Sequence, residues 1–116
     1  MFSKSKRIAR KTAKLEWAKL ANLDERGKTG FQAKAENIVD LFFSNRGISP
    51  SKDTKRPEAY IYYECCAANL RIWLYPQKAE FYTPDRDFTA ERPDFDSPKE
   101  CLDAFEKSLN SVHIDA

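Results

Sequence analysis

The sequence predicts an α+β fold in the element order α-α-β-β-β-α. Apolar residues recur at helical spacing through residues 4–46, and a β-branched and aromatic stretch with alternating pattern follows at residues 58–83. Ser97-Pro98-Lys99-Glu100 has the form of a helix capping box and precedes a third helical stripe. Because such elements pack in layers around one core, we expect an N-terminal helix pair on a three-stranded antiparallel sheet, with the C-terminal helix completing the core.

Length and charge together describe one polarised domain. A chain of 116 residues that is 41% hydrophobic predicts a single domain, residues 1–116, with a basic helical half (1–47) and an acidic strand-strand-strand-helix half (57–116). Residues 1–56 hold 14 Lys/Arg against 6 Asp/Glu, whereas the remaining residues hold 6 against 12. This asymmetry favours contact with phosphate or with an acidic protein surface. The alternative is that the two halves attract each other, within one molecule or between copies.

The helix pair is predicted from two apolar stripes. The first helix spans Lys4 to Leu23 and buries Ala9, Ala13, Trp17 and Leu20. The second begins after an N-cap at Thr29, runs to about Arg46 and ends before Gly47, which is expected to be left-handed. Its stripe consists of Phe31, Ala35, Ile38, Val39 and Phe42.

A row of cations on the first helix is the first candidate binding surface. Positive side chains at helical spacing can follow the phosphates of a nucleic acid. The alternative is a solvated helix face that keeps a small protein in solution. The row consists of Lys4, Arg7, Arg10, Lys11 and Lys14.

The predicted sheet supplies the second candidate surface. Its strands are expected at Glu58–Cys66, Leu70–Tyr75 and Lys78–Thr83, with the segment Ile48–Pro57 as an exposed linker. Alternation in the middle strand puts Leu70, Ile72 and Leu74 on one face and Arg71, Trp73 and Tyr75 on the other. The second face is suited to stacking bases or to binding a protein. Burial of this face beneath residues 4–46 is the favoured alternative.

The last helix begins in a segment that resembles a known DNA-binding unit. Residues 95–109, FDSPKECLDAFEKSL, are similar to the strand-to-helix junction of AP2-like DNA-binding modules, which also occurs at the front of phage integrases. The resemblance implies three strands followed by a helix and a role on nucleic acid. The chain differs in its long acidic loop before the helix and in lacking a basic strand face, so no DNA-contacting residue is carried over.

Catalytic and metal chemistry are not expected. The chain contains a nominal Cys3His combination of zinc ligands, but it lacks the C-x2-C spacing of a zinc knuckle. Buried thiols are therefore the better interpretation of the cysteines. The four residues are Cys65, Cys66, Cys101 and His113. Three glycines are too few for a phosphate-cradling loop, and no serine lies on a glycine elbow. A segment of acidic residues before the last helix is expected to be a solvated loop. The alternative is that it binds a cation or mimics a row of phosphates. Its members are Asp85, Asp87, Glu91, Asp94 and Asp96.

The sequence therefore predicts a non-enzymatic, cytoplasmic binding protein without cofactor, metal or membrane partner. We expect it to associate with nucleic acid or a nucleoprotein complex through the basic first helix. The alternative is a small inhibitor or adaptor that blocks a protein target, in the manner of phage or plasmid accessory proteins. The residues predicted to bind are Lys4, Arg7, Arg10, Lys11, Lys14, Arg71, Trp73 and Tyr75.

Overall fold

The computed structural model describes residues 14–54 and 60–114 and confirms the α+β class. Three helices and one sheet form two layers in this part of the chain. The helices are α1 (residues 14–19), α2 (Gly30–Ser44) and α3 (Pro98–Asn110). The strands are β1 (Ser51–Asp53), β2 (Ile61–Cys65), β3 (Leu70–Tyr75), β4 (Lys78–Tyr82) and β5 (Asp87–Glu91).

The sheet has five antiparallel strands in the order β1-β2-β3-β4-β5, so the prediction of three strands is wrong. The additional strands are the two edges. β1 lies in the predicted linker and pairs Lys52 with Tyr63, while β5 lies in the predicted acidic loop and pairs Phe88 with Phe81. All residues of β1 are polar, and only two residues of β5, Phe88 and Ala90, lie on the face of the sheet toward the core. Pairing with a neighbouring strand, more than apolar alternation, therefore specifies both edges.

Helix α2 begins after its predicted cap and ends at Ser44, two residues before the predicted end. The Thr29 side chain accepts a hydrogen bond from the Gln32 backbone, and the Gln32 side chain accepts one from the Thr29 backbone, which completes a capping box. Thr29 also donates its hydroxyl to the Pro76 carbonyl at 2.8 Å. Gly47 follows with a φ of 66°, a left-handed conformation that favours glycine. The start of α2 is thus fixed both by its own cap and by the β3–β4 turn.

Both long helices pack on the same face of the sheet. Gln32 of α2 donates from Nε2 to the Leu74 carbonyl at 2.9 Å, and Phe105 of α3 contacts Phe81 edge-on with ring centroids 6.3 Å apart. Trp17 of α1 is 3% exposed and packs against Phe31, which confirms its predicted burial. The core lies between this helical layer and the inner face of the sheet.

The prediction that residues 4–46 bury the second sheet face is wrong for the described helices. They cover the aliphatic row of β3 instead, because Leu70, Ile72 and Leu74 have no polar group to desolvate, whereas the other face carries the charge of Arg71. The opposite face carries Trp73, which is partly exposed, and Arg71, which is exposed. That face is called the outer face below.

Candidate binding face of the sheet

The structure brings together three of the predicted binding residues. Arg71, Trp73 and Tyr75 all lie on the outer face of β3. Lys14 is exposed on α1. The other cations of the predicted row, Lys4, Arg7, Arg10 and Lys11, lie outside the described residues.

Strand register determines the neighbours of Trp73. Across the sheet, Trp73 is paired with Tyr62 on β2 and with Glu80 on β4, and Glu80 is paired with Thr89 on β5. Successive same-face residues lie about 7 Å apart along a strand and about 5 Å apart between strands. These residues therefore form one continuous row across four strands.

Aromatic side chains concentrate on β2 and β3. The Tyr62 and Trp73 rings have centroids 5.6 Å apart, and the Tyr60 and Tyr75 rings have centroids 5.3 Å apart. Lys78 places its Nζ atom 4.4 Å from the centre of the Tyr75 ring. The outer face thus already contains a cation held over an aromatic ring.

The described strand residues of the outer face carry mainly negative charge. Arg71 lies 3.9 Å from the Glu64 carboxylate, measured from Nε to Oε1, and Glu80 accepts a hydrogen bond from Thr89 at 3.3 Å. Among the described strand residues of this face, five carboxylates accompany two cations, Arg71 and Lys78. The carboxylates belong to Asp53, Glu64, Glu80, Asp87 and Glu91. The described strand residues of this face therefore carry a net negative charge, which repels phosphate and attracts cations.

Two shallow hollows meet at Arg71 and Tyr82. One, of about 360 Å³, is called the Trp73 groove, and it is lined by Arg71, Trp73, Glu80, Phe81, Tyr82, Asp87 and Thr89. The other, of about 410 Å³, lies toward the end of β2 and includes Glu64 and the exposed Cys66. Tyr82, at the junction, is 47% exposed. An aromatic surface with carboxylates at its rim is therefore available to a partner.

A second polar cluster, not anticipated from the sequence, joins α2 to the sheet edge. The Glu36 carboxylate lies 2.8 Å from Arg26 Nη2 and 2.8 Å from Lys52 Nζ. Tyr63 donates its hydroxyl to Asp40 at 2.8 Å, and Asp40 also accepts from Lys52. We call these five residues the edge clamp.

The edge clamp has the electrostatics of a structural contact. Burial alone would raise the pKa of Glu36, but hydrogen bonds from Arg26 and Lys52 outweigh it and hold that pKa below its ordinary value. Burial and the bond to Asp40 raise the pKa of Tyr63. Every group is therefore satisfied by another member of the cluster. Glu36 and Asp40 are one turn apart on α2, but the other members are distant from them in sequence, so no local pattern signals the cluster.

The cysteines and acidic residues do not assemble a metal site in the described ranges. Cys65 and Cys101 are buried, Cys66 is exposed, and all three are free thiols. Burial raises the pKa of Cys101 to about 12, which keeps it a thiol. No group of three or more His, Cys, Asp or Glu residues within residues 14–54 and 60–114 is arranged to hold a metal ion.

Comparison with known proteins identifies no relative. No family model, curated protein or solved structure matches the chain. Among the described helices, none is long and apolar enough to cross a membrane.

Proposed function

We propose that the protein is a non-enzymatic binding protein that associates with a nucleoprotein complex. The cations of its N-terminal segment contact nucleic-acid phosphates, and the outer face of the sheet contacts the protein component. The observation that carries the proposal is the exposure of an aromatic, carboxylate-rimmed sheet face around Trp73, opposite a fully packed inner face.

The nucleic-acid contact is supported by how unevenly positive charge is distributed. Residues 1–13 contain five Lys/Arg and no Asp/Glu, and the exposed Lys14 extends this set. A contact made by such cations releases counterions from the nucleic acid, so its affinity falls as salt rises. It carries little sequence specificity, because phosphates are the same at every position.

The protein contact is supported by the composition of the outer face. Trp, Tyr and Arg are the residue types that contribute most to binding at protein interfaces, and Trp73, Tyr82 and Arg71 adjoin one another here. The carboxylates among them select a basic partner surface. Proteins that bind nucleic acid present such surfaces, which makes a nucleoprotein the consistent target.

The second candidate is a small inhibitor or adaptor that binds a protein target without nucleic acid. The predominance of carboxylates on the outer face favours it, since this surface alone is sufficient to cover a basic site on another protein. The two candidates differ in whether the N-terminal cations are required.

Fluorescence anisotropy tests the nucleic-acid contact. Labelled duplex DNA, single-stranded DNA and RNA are titrated with the protein from low to physiological salt. We expect the logarithm of the affinity to fall linearly with the logarithm of the salt concentration. The triple variant Arg7→Glu, Arg10→Glu, Lys11→Glu loses this binding.

A matched triple variant, Lys34→Glu, Lys99→Glu, Lys107→Glu, reverses the same number of charges at exposed positions of α2 and α3. We expect it to keep most of the affinity. Failure of all three nucleic acids to bind at low salt contradicts the nucleoprotein proposal and leaves the inhibitor or adaptor. Equal losses in the two triple variants contradict a role for the N-terminal cations in particular.

A further inference from the structure

We infer that the Trp73 groove binds a Lys or Arg side chain from a basic segment of the protein partner. This deepens the protein contact proposed above and rests on it. The cationic head group lies over the Trp73 ring and pairs with Glu80 and Asp87. The nucleic-acid contact of the N-terminal cations is a separate event.

The groove has the required shape and composition. Trp73 lines the groove and is partly exposed, and the lining residues Glu80 and Asp87 lie on strands β4 and β5. A hollow of about 360 Å³ admits one long side chain together with water. The aliphatic stem of a Lys or Arg residue lies against the Trp73 and Tyr82 rings while its head group reaches the carboxylates.

The same face already shows the proposed mode of contact within the chain. Lys78 lies 4.4 Å from the centre of the Tyr75 ring, one same-face position along the sheet from Trp73. Indole attracts a cation more strongly than phenol does, because its ring quadrupole is larger. Trp73 is therefore the stronger acceptor on the outer face.

Charge complementarity selects a basic protein segment over a nucleic acid. Glu80 and Asp87 are one strand apart at the groove, and each repels a phosphate. Arg71 is the cation of the groove, and the Glu64 carboxylate 3.9 Å away offsets its charge. A strand of bases stacked on Trp73 would bring its own phosphates against these carboxylates, whereas a Lys- or Arg-rich segment neutralises them.

The test uses fluorescein-labelled octa-arginine as the basic segment and measures its anisotropy against the full chain at low salt. The carboxylates are neutralised without change of shape in Glu80→Gln, Asp87→Asn. The ring is removed in Trp73→Leu and reduced in Trp73→Phe. The matched control is Glu25→Gln, Asp103→Asn, which makes the same charge change at exposed positions outside the strands.

We expect the carboxylate variant and Trp73→Leu each to weaken octa-arginine binding about tenfold, with Trp73→Phe in between and the control near wild type. Single-stranded DNA binds the carboxylate variant at least as well as wild type, because the groove then repels phosphate less. Urea unfolding of each variant identifies any loss due to misfolding, and the carboxylate pair remains decisive if Trp73→Leu does not fold.

Three results overturn the inference. One is equal octa-arginine affinity for wild type, the carboxylate variant and Trp73→Phe. Another is loss of single-stranded DNA binding in Trp73→Phe, which would make the outer face a base-stacking platform. The third is salt-dependent self-association that requires both Arg7 and Glu80, which would make the occupant a second copy of this chain. The N-terminal cations are tested separately by duplex DNA binding in the Arg7, Arg10, Lys11 variant. Failure of the groove inference is therefore distinguishable from failure of the proposed function.

Discussion

Breaking the edge clamp at Glu36 is expected to destabilise the fold measurably but not to unfold it. The perturbation is a double-mutant cycle that combines Glu36→Gln with Lys52→Met. The Glu36 side chain is 8% exposed and contacts both Lys52 and Arg26 at 2.8 Å, whereas those two partners are 30% and 46% exposed. Removing the carboxylate therefore leaves two cations that water can still reach.

The magnitude follows from this mixed burial. Two unit charges 2.8 Å apart attract by about 1.5 kcal/mol in water and by more in a partly dry site. Ordering the long Lys52 side chain and solvent screening reduce the net value, so we expect a coupling energy of about 1 kcal/mol. Glu36→Gln alone lowers the free energy of unfolding by about 1 to 2 kcal/mol, because the ion pair with Arg26 is lost as well, although Arg26 keeps its ion pair with Asp24.

Urea unfolding at neutral pH measures the cycle. The pair Asp103→Asn and Lys107→Met, exposed and one turn apart on α3, is the control and should couple by about 0.5 kcal/mol or less. The pKa of Glu36 is lowered on folding, so its contribution is complete above the ordinary value of 4.5 and is lost as pH falls through the folded pKa. The difference between wild type and Glu36→Gln therefore shrinks in acid. A coupling no larger than the control, or a difference that grows as pH falls, refutes this reasoning.

Three further predictions concern the core, the thiols and the cap. Phe105→Ala, at a position with no exposed surface, lowers the free energy of urea unfolding by about 3 to 5 kcal/mol, whereas Leu41→Ala, 55% exposed, changes it by under about 0.5 kcal/mol. In a thiol assay on the folded protein at pH 8, Cys66 reacts, whereas Cys101, whose pKa is about 12, reacts only after denaturant is added. Fast labelling of both thiols would contradict the burial of Cys101 in the core. Thr29→Ala removes the α2 cap and the hydrogen bond to the β3–β4 turn, so it lowers the melting temperature and lowers the free energy of unfolding by about 2 kcal/mol. Thr29→Ser keeps the hydroxyl and retains most of the wild-type stability.

The sequence was most informative where a local signal was sufficient. Thr29, Ser97 and Gly47 mark helix ends through interactions within a few residues, and the structure confirms each of them. The central strand Leu70–Tyr75 was also predicted with the observed boundaries, because its alternation is strong. The edge strands β1 and β5 were missed, since their pairing is decided by a neighbouring strand and their own residues are mostly polar.

The candidate site was predicted only in part. Alternation correctly placed Arg71, Trp73 and Tyr75 on one face, but the sequence could not determine which face the helices would cover. The partners Glu80 and Asp87 come from strands whose register is set by the whole sheet. The groove is thus a tertiary feature that appears only once five strands are aligned.

The meander topology also constrains how the chain folds. Each strand pairs with the next along the sequence, and β3 and β4 are joined through Pro76 and Gln77 alone, so the hairpins close short loops. The contact from Gln32 to Leu74 instead joins residues 42 positions apart. Loop-closure entropy therefore favours formation of the β3–β4 hairpin before α2 docks. The outer face therefore forms through these early local strand pairings. The helical layer completes the core later, in the slower step in which α2 docks on the sheet.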